Sequence, residues 1–205
     1  MLSARNHRSR VTFLRAGDQR LFKQLLGPAF EVQVGLHELL GHGSGKLFRE
    51  AKDGTRNFDP AATPDPEAAA GAEGGGAPAP APVSSWYRAG QTWDSQFPGI
   101  CSSYEECRAE CVGIYLCVEP AVLAIFGHPY NDPATGAPAP RTALGAEDAD
   151  GKATPSHVHP DDLVYVNWLN MARAGLLGLQ YFTPGAGWGQ AHMQARFAIL
   201  RVLLE

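Results

Sequence analysis

Apolar residues recur at helical spacing in several segments of the chain, and stretches rich in glycine and proline separate these segments. The predicted helices cover residues 32–42, 102–118, 121–126, 162–181 and 188–204. Gly43 and Gly45 end the first of them, because glycine tolerates left-handed backbone, and Thr183-Pro184-Gly185 ends the fourth. The pattern predicts a mainly α-helical fold.

Two segments lack the large apolar residues that a packed core requires. Residues 59–85 are mostly Ala, Gly and Pro, and residues 128–160 are rich in Pro, Gly and Asp. Such compositions bury too little surface to become ordered, so both segments are predicted to be long flexible loops. Gly27-Pro28 separates a partly irregular N-terminal segment, residues 1–29, from one helical domain over residues 30–205.

The predicted helix over residues 102–118 combines a polar start with an apolar face. Ser102 or Ser103 is placed to cap it, with Glu105 or Glu106 three residues on. The side chains predicted to pack against the core repeat at helical spacing and are Cys107, Cys111, Ile114, Tyr115 and Val118.

Charge and cysteine usage narrow the classes of function. A net charge of -4 gives no electrostatic reason to expect nucleic-acid binding. The chain has no run of roughly 18 apolar residues, so no membrane span is expected. Its four cysteines form no C-x-x-C pair, which disfavours a zinc ribbon or a redox site. Without an apolar leader at the start, reduced thiols and a cytosolic location are expected.

The segment HELLGH, from His37 to His42, holds two histidines and a glutamate next to the first. Zinc hydrolase helices usually carry histidines four residues apart, but here they are five apart. In a regular α-helix such side chains point about 140° away from each other, so they cannot hold one ion. A π-bulge absorbs one extra residue and brings the two together. The spacing therefore predicts a bulged helix, with Gly41 as the place for the distortion.

A zinc hydrolase also needs a third protein ligand and a base for the proton of water. Glu38 suits the base, and the third ligand is expected from the acidic cluster Glu105, Glu106 and Glu110 on another helix. A second carboxylate of that cluster can orient a histidine. Taken alone, the two histidines are more simply explained as packed, hydrogen-bonded side chains, and the glutamates as caps at a helix start. Together the motifs favour a metal site, because charged residues are rare in apolar helices unless they are paired or metal-bound.

HELLGH followed by EECRAE resembles the paired signature of the dipeptidyl peptidase III family of zinc exopeptidases. The resemblance extends over most of residues 30–205, in the segments VQVGLHELLGHGSGKLF, SWYRAGQTWDSQF, SSYEECRAECVGIYLC, VYVNWLNMARAGLL and QAHMQARFAILRVLLE. It implies the helical zinc-binding (upper) domain of a metallopeptidase. That family removes dipeptides from the free N-termini of short peptides.

The resemblance also implies a role for individual residues. His37, His42 and Glu106 would bind one zinc ion, and Glu38 would polarise the attacking water and shuttle its proton. Glu105 and Glu110 would be carboxylates that hold the zinc histidines. His192 would help to stabilise the tetrahedral intermediate, and Asp94 would line the substrate cleft.

Two departures from the family pattern qualify these implications. The second lobe of the family, which contains a β-barrel and forms the other wall of the substrate cleft, has no counterpart here. Some relatives carry an E-T-G-E segment that docks a Kelch-repeat adaptor, but the first loop reads PEAAAGAEGGG, so no such docking is expected.

Two alternatives to an active exopeptidase stay open at the level of the sequence. The pattern of the last helix continues to Glu205 without a stop signal. The chain is therefore also interpreted as a truncated, catalytically inactive fragment that binds zinc or protein partners only. A different zinc hydrolase is the third hypothesis.

Overall fold

The computed structural model describes residues 11–45, 47–61, 83–146 and 155–205. This part is mainly helical, as the sequence predicts. Its elements in chain order are α1 (Ala16–Leu36), a π-helical segment (His37–His42), α2 (Trp93–Gln96), α3 (Cys101–Leu116), α4 (Pro120–Ile125), α5 (Pro160–Gly178), a 3-10 turn (Leu179–Tyr181), β1 (Phe182–Thr183), β2 (Gly187–Trp188) and α6 (Ala191–Leu203). None of the described helices is long and apolar enough to cross a bilayer.

The chain divides into two compact units. The larger unit combines Met1–Ser44 with Ser102–Glu205, and the smaller unit is Gly45–Cys101. The predicted division into residues 1–29 and 30–205 stays a prediction.

The core of the larger unit lies where α5 packs against both α1 and α6. The side chains that fill its main cluster are buried and mostly aliphatic, and include Phe22, Leu25, Val32, Leu36, Cys117, Leu123, Leu163 and Val166. A smaller cluster joins Ile114, Met171 and Ile199 from three helices. Burial of these apolar side chains is the main force that holds the helices together.

Two glycines allow α5 and α6 to cross closely. A Cβ on Gly175 would lie 2.5 Å from the carbonyl oxygen of Arg196, and one on Gly178 would lie 2.8 Å from that of Met193. Any larger residue would push the helices apart. The crossing fixes the position of the first turns of α6, which carry His192 and Arg196.

The first predicted helix is longer than expected. It was predicted to start at residue 32, after a break at Gly27-Pro28, but α1 begins at Ala16 and Pro28 lies inside it. A proline usually disfavours helical backbone at the preceding residue, because its ring clashes with that residue's Cβ. Gly27 has no Cβ, so α1 continues through both residues.

The predictions for α3 are partly wrong. The helix begins at Cys101, so Ser102 and Ser103 lie inside it rather than at its cap. Ile114 is buried as predicted, but Cys111 is exposed, and the side chains of Tyr115 and Val118 are 71% and 42% exposed. The buried face is instead rotated toward residues with small or polar side chains, and includes Ala109, Glu110 and Gly113.

A hairpin replaces the first turn of the last predicted helix. The helix was expected from residue 188, but β1 and β2 pair antiparallel and place Phe182 opposite Trp188. Gly185 and Gly187 adopt φ values of 83° and 87°, which suit the tight connection between the strands. The helix α6 therefore starts only at Ala191, where the Gln190 side chain accepts a hydrogen bond from the Met193 amide.

The predicted loops are described only in part. Residues 62–82, most of the first loop, and residues 147–154 of the second lie outside the described residues. The described residues between α4 and α5 form isolated bridges, such as Asn131 with Pro138, and no helix or strand.

The smaller unit is organised around Glu50. Its carboxylate accepts hydrogen bonds from Arg56, from Arg88 and from the indole of Trp86. The two guanidinium groups also lie over the Trp86 ring, at 4.6 and 4.8 Å from its centroid. The stretch before α3 contains the short helix α2, whose N-terminus is capped by a capping box between Thr92 and Ser95.

Candidate metal centre

The two histidines of HELLGH face each other across one turn of π-helix. His37–His42 is π-helical, and the two imidazole rings lie with centroids 4.7 Å apart at 86°. In a regular α-helix, His42 would point about 140° away from His37. The wider π turn absorbs the one extra residue and removes this difference. The bulged helix predicted from the five-residue spacing is therefore confirmed.

Two glycines make this turn possible. A Cβ on Gly41 would lie 2.8 Å from both the Cα and the Cβ of Ala109 on α3. A Cβ on Gly43 would overlap the carbonyl oxygen of Leu39. Gly41 thus allows α3 to approach the π turn, and Gly43 allows the turn to end.

The close approach brings Glu106 of α3 to both imidazoles. Its Oε2 atom lies 3.3 Å from His37 Nε2 and 3.6 Å from His42 Nε2. One donor atom from each of these three residues lies within 4.8 Å of the other two. The structure therefore brings together the three residues predicted as metal ligands.

The surroundings of Glu106 Oε2 fit a metal ion. This oxygen is buried, yet it makes no hydrogen bond with any described residue. A buried carboxylate oxygen that lacks a hydrogen bond is costly, so this atom is expected to have a further partner among the imidazoles that surround it. Two imidazole nitrogens and a carboxylate oxygen are a usual donor set for catalytic zinc. The residues present thus fit a divalent metal.

Glu110 holds the far side of the His37 ring. Its Oε2 lies 3.6 Å from His37 Nδ1, and its side chain is 1% exposed. The Glu110 carboxylate raises the pKa of His37, burial acts in the opposite direction, and the charges of Glu106 and Glu38 add to the increase. Burial alone would raise the pKa of Glu110, but His37, Arg196 and Gln33 together lower it to about 2. Glu110 is therefore an ionised carboxylate that faces His37 Nδ1.

Glu105 plays the same part for His42. Its Oε1 lies 3.1 Å from His42 Nδ1, while Arg108 donates to both of its oxygens, at 2.6 and 2.9 Å. Arg108 lowers the pKa of the Glu105 carboxyl, and His42 contributes further. Arg108 also donates to the carbonyl oxygen of Ser44, at 3.4 Å. Each histidine thus has one nitrogen toward Glu106 and the other toward a second carboxylate.

Two predicted catalytic residues border the cluster. His192 Nδ1 lies 2.8 Å from Glu106 Oε2, and the His192 ring stands 5.9 Å from that of His37. Neither of the two atoms makes a hydrogen bond within the described residues. Glu38 is exposed at the start of the π turn, directly after His37. Both are therefore placed beside the ligands and reach solvent.

Asp94 lies in the smaller unit, in the first turn of α2. Its assignment to the substrate cleft stays a prediction.

Sequence reasoning missed residues that support the carboxylates. Arg108 holds Glu105, Arg196 and Gln33 hold Glu110, and Asn167 holds Gln33. Helical spacing offered a signal for three of them. Arg108 follows Glu105 by three residues, Arg196 follows His192 by four, and Gln33 precedes His37 by four. Asn167 gave no such signal, because it lies on α5, far from both motifs in sequence.

Comparison with known proteins agrees with this arrangement. The profile of peptidase family M49 matches residues 1–205. Dipeptidyl peptidase 3 from Nematostella vectensis is 49% identical over 206 residues, which cover 100% of this chain and 23% of the relative. Dipeptidyl peptidase 3 from Mus musculus is 50% identical over a region that covers 97% of this chain and 22% of the relative. Dipeptidyl peptidase 3 from Dictyostelium discoideum is 40% identical over a region that covers 95% of this chain and 24% of the relative. The chain thus spans about a quarter of the length of these curated relatives. It belongs to peptidase family M49.

Proposed function

We propose that this chain carries the zinc-binding part of a cytosolic metallopeptidase that releases dipeptides from the N-terminus of short peptides. The observation that carries the proposal is the buried Glu106 Oε2, which lies 3.3 Å from His37 Nε2 and 3.6 Å from His42 Nε2 without a hydrogen bond to any described residue. The printed names of the relatives support the substrate class.

His37, His42 and Glu106 would hold one zinc ion. A bound zinc ion makes water more acidic and polarises a carbonyl group. The rings are already oriented for this, because Glu110 and Glu105 face their other nitrogens. Such carboxylate partners fix the tautomer of a ligand histidine and increase its basicity.

The remaining steps fall to the two residues that border the ligands. Glu38 would take a proton from the attacking water and deliver it to the departing amine, since its exposed carboxylate follows His37 directly. His192 would donate a hydrogen bond to the carbonyl oxygen of the scissile peptide bond, where negative charge develops during the attack of water. It is 40% exposed, which leaves its ring accessible to a substrate.

The cytosolic location stays part of the proposal. The four cysteines, which all lie in the described part of the chain and are free, would then be reduced thiols. Fractionation of cells that express the tagged chain tests this, and recovery with secreted proteins would contradict it.

Hydrolysis of a dipeptidyl-arylamide with a free N-terminus tests the activity. Release of arylamine that stops with a chelator and returns with zinc is the expected result. The same compound with a blocked N-terminus is the control, and equal cleavage of both would favour a different zinc hydrolase. Bound zinc without any release would favour the inactive fragment that binds zinc or partners only.

The absence of Kelch-adaptor docking also stays a prediction, because residues 62–82 are not described. A pull-down in which the adaptor binds through residues 59–85 would contradict it.

A further inference from the structure

A buried chain of hydrogen bonds runs from α5 through α1 to the Glu110 carboxylate. Gln33 Nε2 donates to Glu110 Oε2 at 2.9 Å and to the Glu110 carbonyl oxygen at 3.2 Å. Asn167 Nδ2 donates to Gln33 Oε1 at 3.4 Å. Gln33, Glu110 and Asn167 are 6%, 1% and 1% exposed. Buried polar side chains of this kind are costly unless every donor and acceptor has a partner. Each hydrogen bond of this series therefore has a defined donor and a defined acceptor.

The place of the Gln33 amide is set by a glycine on α3. A Cβ on Gly113 would lie 2.6 Å from Gln33 Nε2 and 2.9 Å from Gln33 Oε1. The amide therefore rests directly against the backbone of α3, one turn after Glu110. Any side chain at position 113 would displace it from the carboxylate.

The Gln33 amide is held at both ends. The ionised Glu110 carboxylate only accepts hydrogen bonds, so the NH₂ group of Gln33 faces it, and Asn167 donates to the Gln33 oxygen at the other end. The opposite orientation would place two oxygens against each other. A carboxylate that accepts from Gln33 and from Arg196 is fixed in one rotamer, with Oε2 toward His37 Nδ1.

We propose that Gln33 and Asn167 are positioning residues of the metal centre, which keep the proton of the neutral His37 ring on Nδ1 and leave Nε2 as the donor for the metal. This inference rests on the proposed zinc function and deepens it. The two residues act through Glu110, and they connect the ligand His37 to α5.

A purely structural role for Gln33 is the competing explanation, and α1 contains a matched control. Gln24 is 7% exposed, lies nine residues earlier in the same helix and makes two hydrogen bonds of its own, one to and one from the backbone of Gly145. Gln24→Leu and Gln33→Leu therefore remove comparable interactions from one helix. The proposal predicts that they differ at the metal site and not in stability alone.

The first measurement is the zinc affinity of the full chain, by competition with a chromogenic chelator. Gln33→Leu and Asn167→Asp should bind zinc about 10- to 100-fold more weakly than wild type, the range found when such outer partners are lost. Gln24→Leu should bind like wild type. Equal affinity of Gln33→Leu and Gln24→Leu would overturn the positioning role. A folded wild type that binds no zinc would instead contradict the proposed function.

The second measurement reads the His37 tautomer in the metal-free chain, by ¹H–¹⁵N correlation of the ring nitrogens at a pH where the ring is neutral. The proton should sit on Nδ1 in wild type and in Gln24→Leu, and should move partly to Nε2 in Gln33→Leu. An unchanged tautomer in Gln33→Leu would overturn the proposal, whether or not zinc binds. If Gln33→Leu fails to fold, Gly113→Ala serves, because alanine displaces the amide and has the higher helix propensity.

Discussion

Gly41 and Ala109 approach so closely that a Cβ on Gly41 would lie 2.8 Å from the Cα of Ala109. This contact seats the π turn against α3, and it is the reason that His42 and Glu106 reach the same point. Gly41→Ala should force the two elements apart, with a loss of stability of about 1–3 kcal/mol and weaker zinc binding. Chemical denaturation and chelator competition measure the two effects.

Gly17→Ala is the control for that substitution. Gly17 lies in the first turn of α1, and a Cβ there meets no atom of the described residues within 4 Å beyond its chain neighbours and the nearby helix backbone. The Gly17→Ala substitution should leave zinc binding unchanged and stabilise the chain slightly, because alanine has a higher helix propensity than glycine. A Gly41→Ala variant with wild-type stability and affinity would show that the contact with Ala109 does not set the site.

Glu38→Ala should abolish turnover while zinc stays bound. Glu38 is exposed and is not among the three residues whose donor atoms converge. Removal of a general base typically costs about 10²–10⁴-fold in rate. Arylamide hydrolysis and metal analysis of the same preparation test this, with the exposed Glu31→Ala as control. Loss of zinc together with activity would contradict the role assigned to Glu38.

His192→Ala should lower kcat by roughly 10²–10³-fold, as loss of one oxyanion donor does elsewhere. Its zinc content should stay at the wild-type level, although His192 Nδ1 lies 2.8 Å from Glu106 Oε2. Gln194→Ala, two residues along α6, is the matched control. A fall in zinc content of His192→Ala would make His192 a ligand and not a catalytic donor.

The alkaline stability of the chain should depend on Cys117. Burial raises the pKa of the Cys117 thiol from 9.0 to about 11, and the residue is 0% exposed. Between these values the unfolded chain has lost the proton and the folded chain keeps it. The thiol therefore favours the folded state up to about pH 9, and this contribution is lost as pH rises toward 11.

The loss should be on the order of 3 kcal/mol and should be absent from Cys117→Ala. Urea unfolding of both chains across this pH range measures the difference. A parallel decline in the two chains would indicate that other groups cause the alkaline loss.

The sequence indicated the cluster of His37, His42 and Glu106 better than the helix boundaries. Histidines five residues apart cannot share an ion on a regular α-helix, but a π turn aligns them, so the spacing predicted the π turn. The start of α1 depended on whether the helix continues through Gly27-Pro28 or breaks there. Local energies of opposite sign decide between the two, and the sequence pattern does not give their sum. Periodicity also left the buried face of α3 ambiguous, because small and polar residues such as Gly113 and Glu110 pack there against Gln33.

The supporting network could not be predicted because it joins distant segments. Gln33 and Asn167 are 134 residues apart in the chain, and Glu110 and Arg196 are 86 apart. Only tertiary packing brings these side chains together, because they lie on the four different helices α1, α3, α5 and α6. Sequence patterns report neighbours along one helix, whereas the partners of Glu110 come from different helices.

Zinc bound per folded chain should be compared between wild type and Glu106→Ala. We expect one zinc ion per wild-type chain and far less in an equally folded Glu106→Ala chain, because Glu106 Oε2 is the atom that His37 and His42 share. A folded wild-type chain without zinc, or a variant that keeps its zinc, would show that these three residues do not form a zinc site.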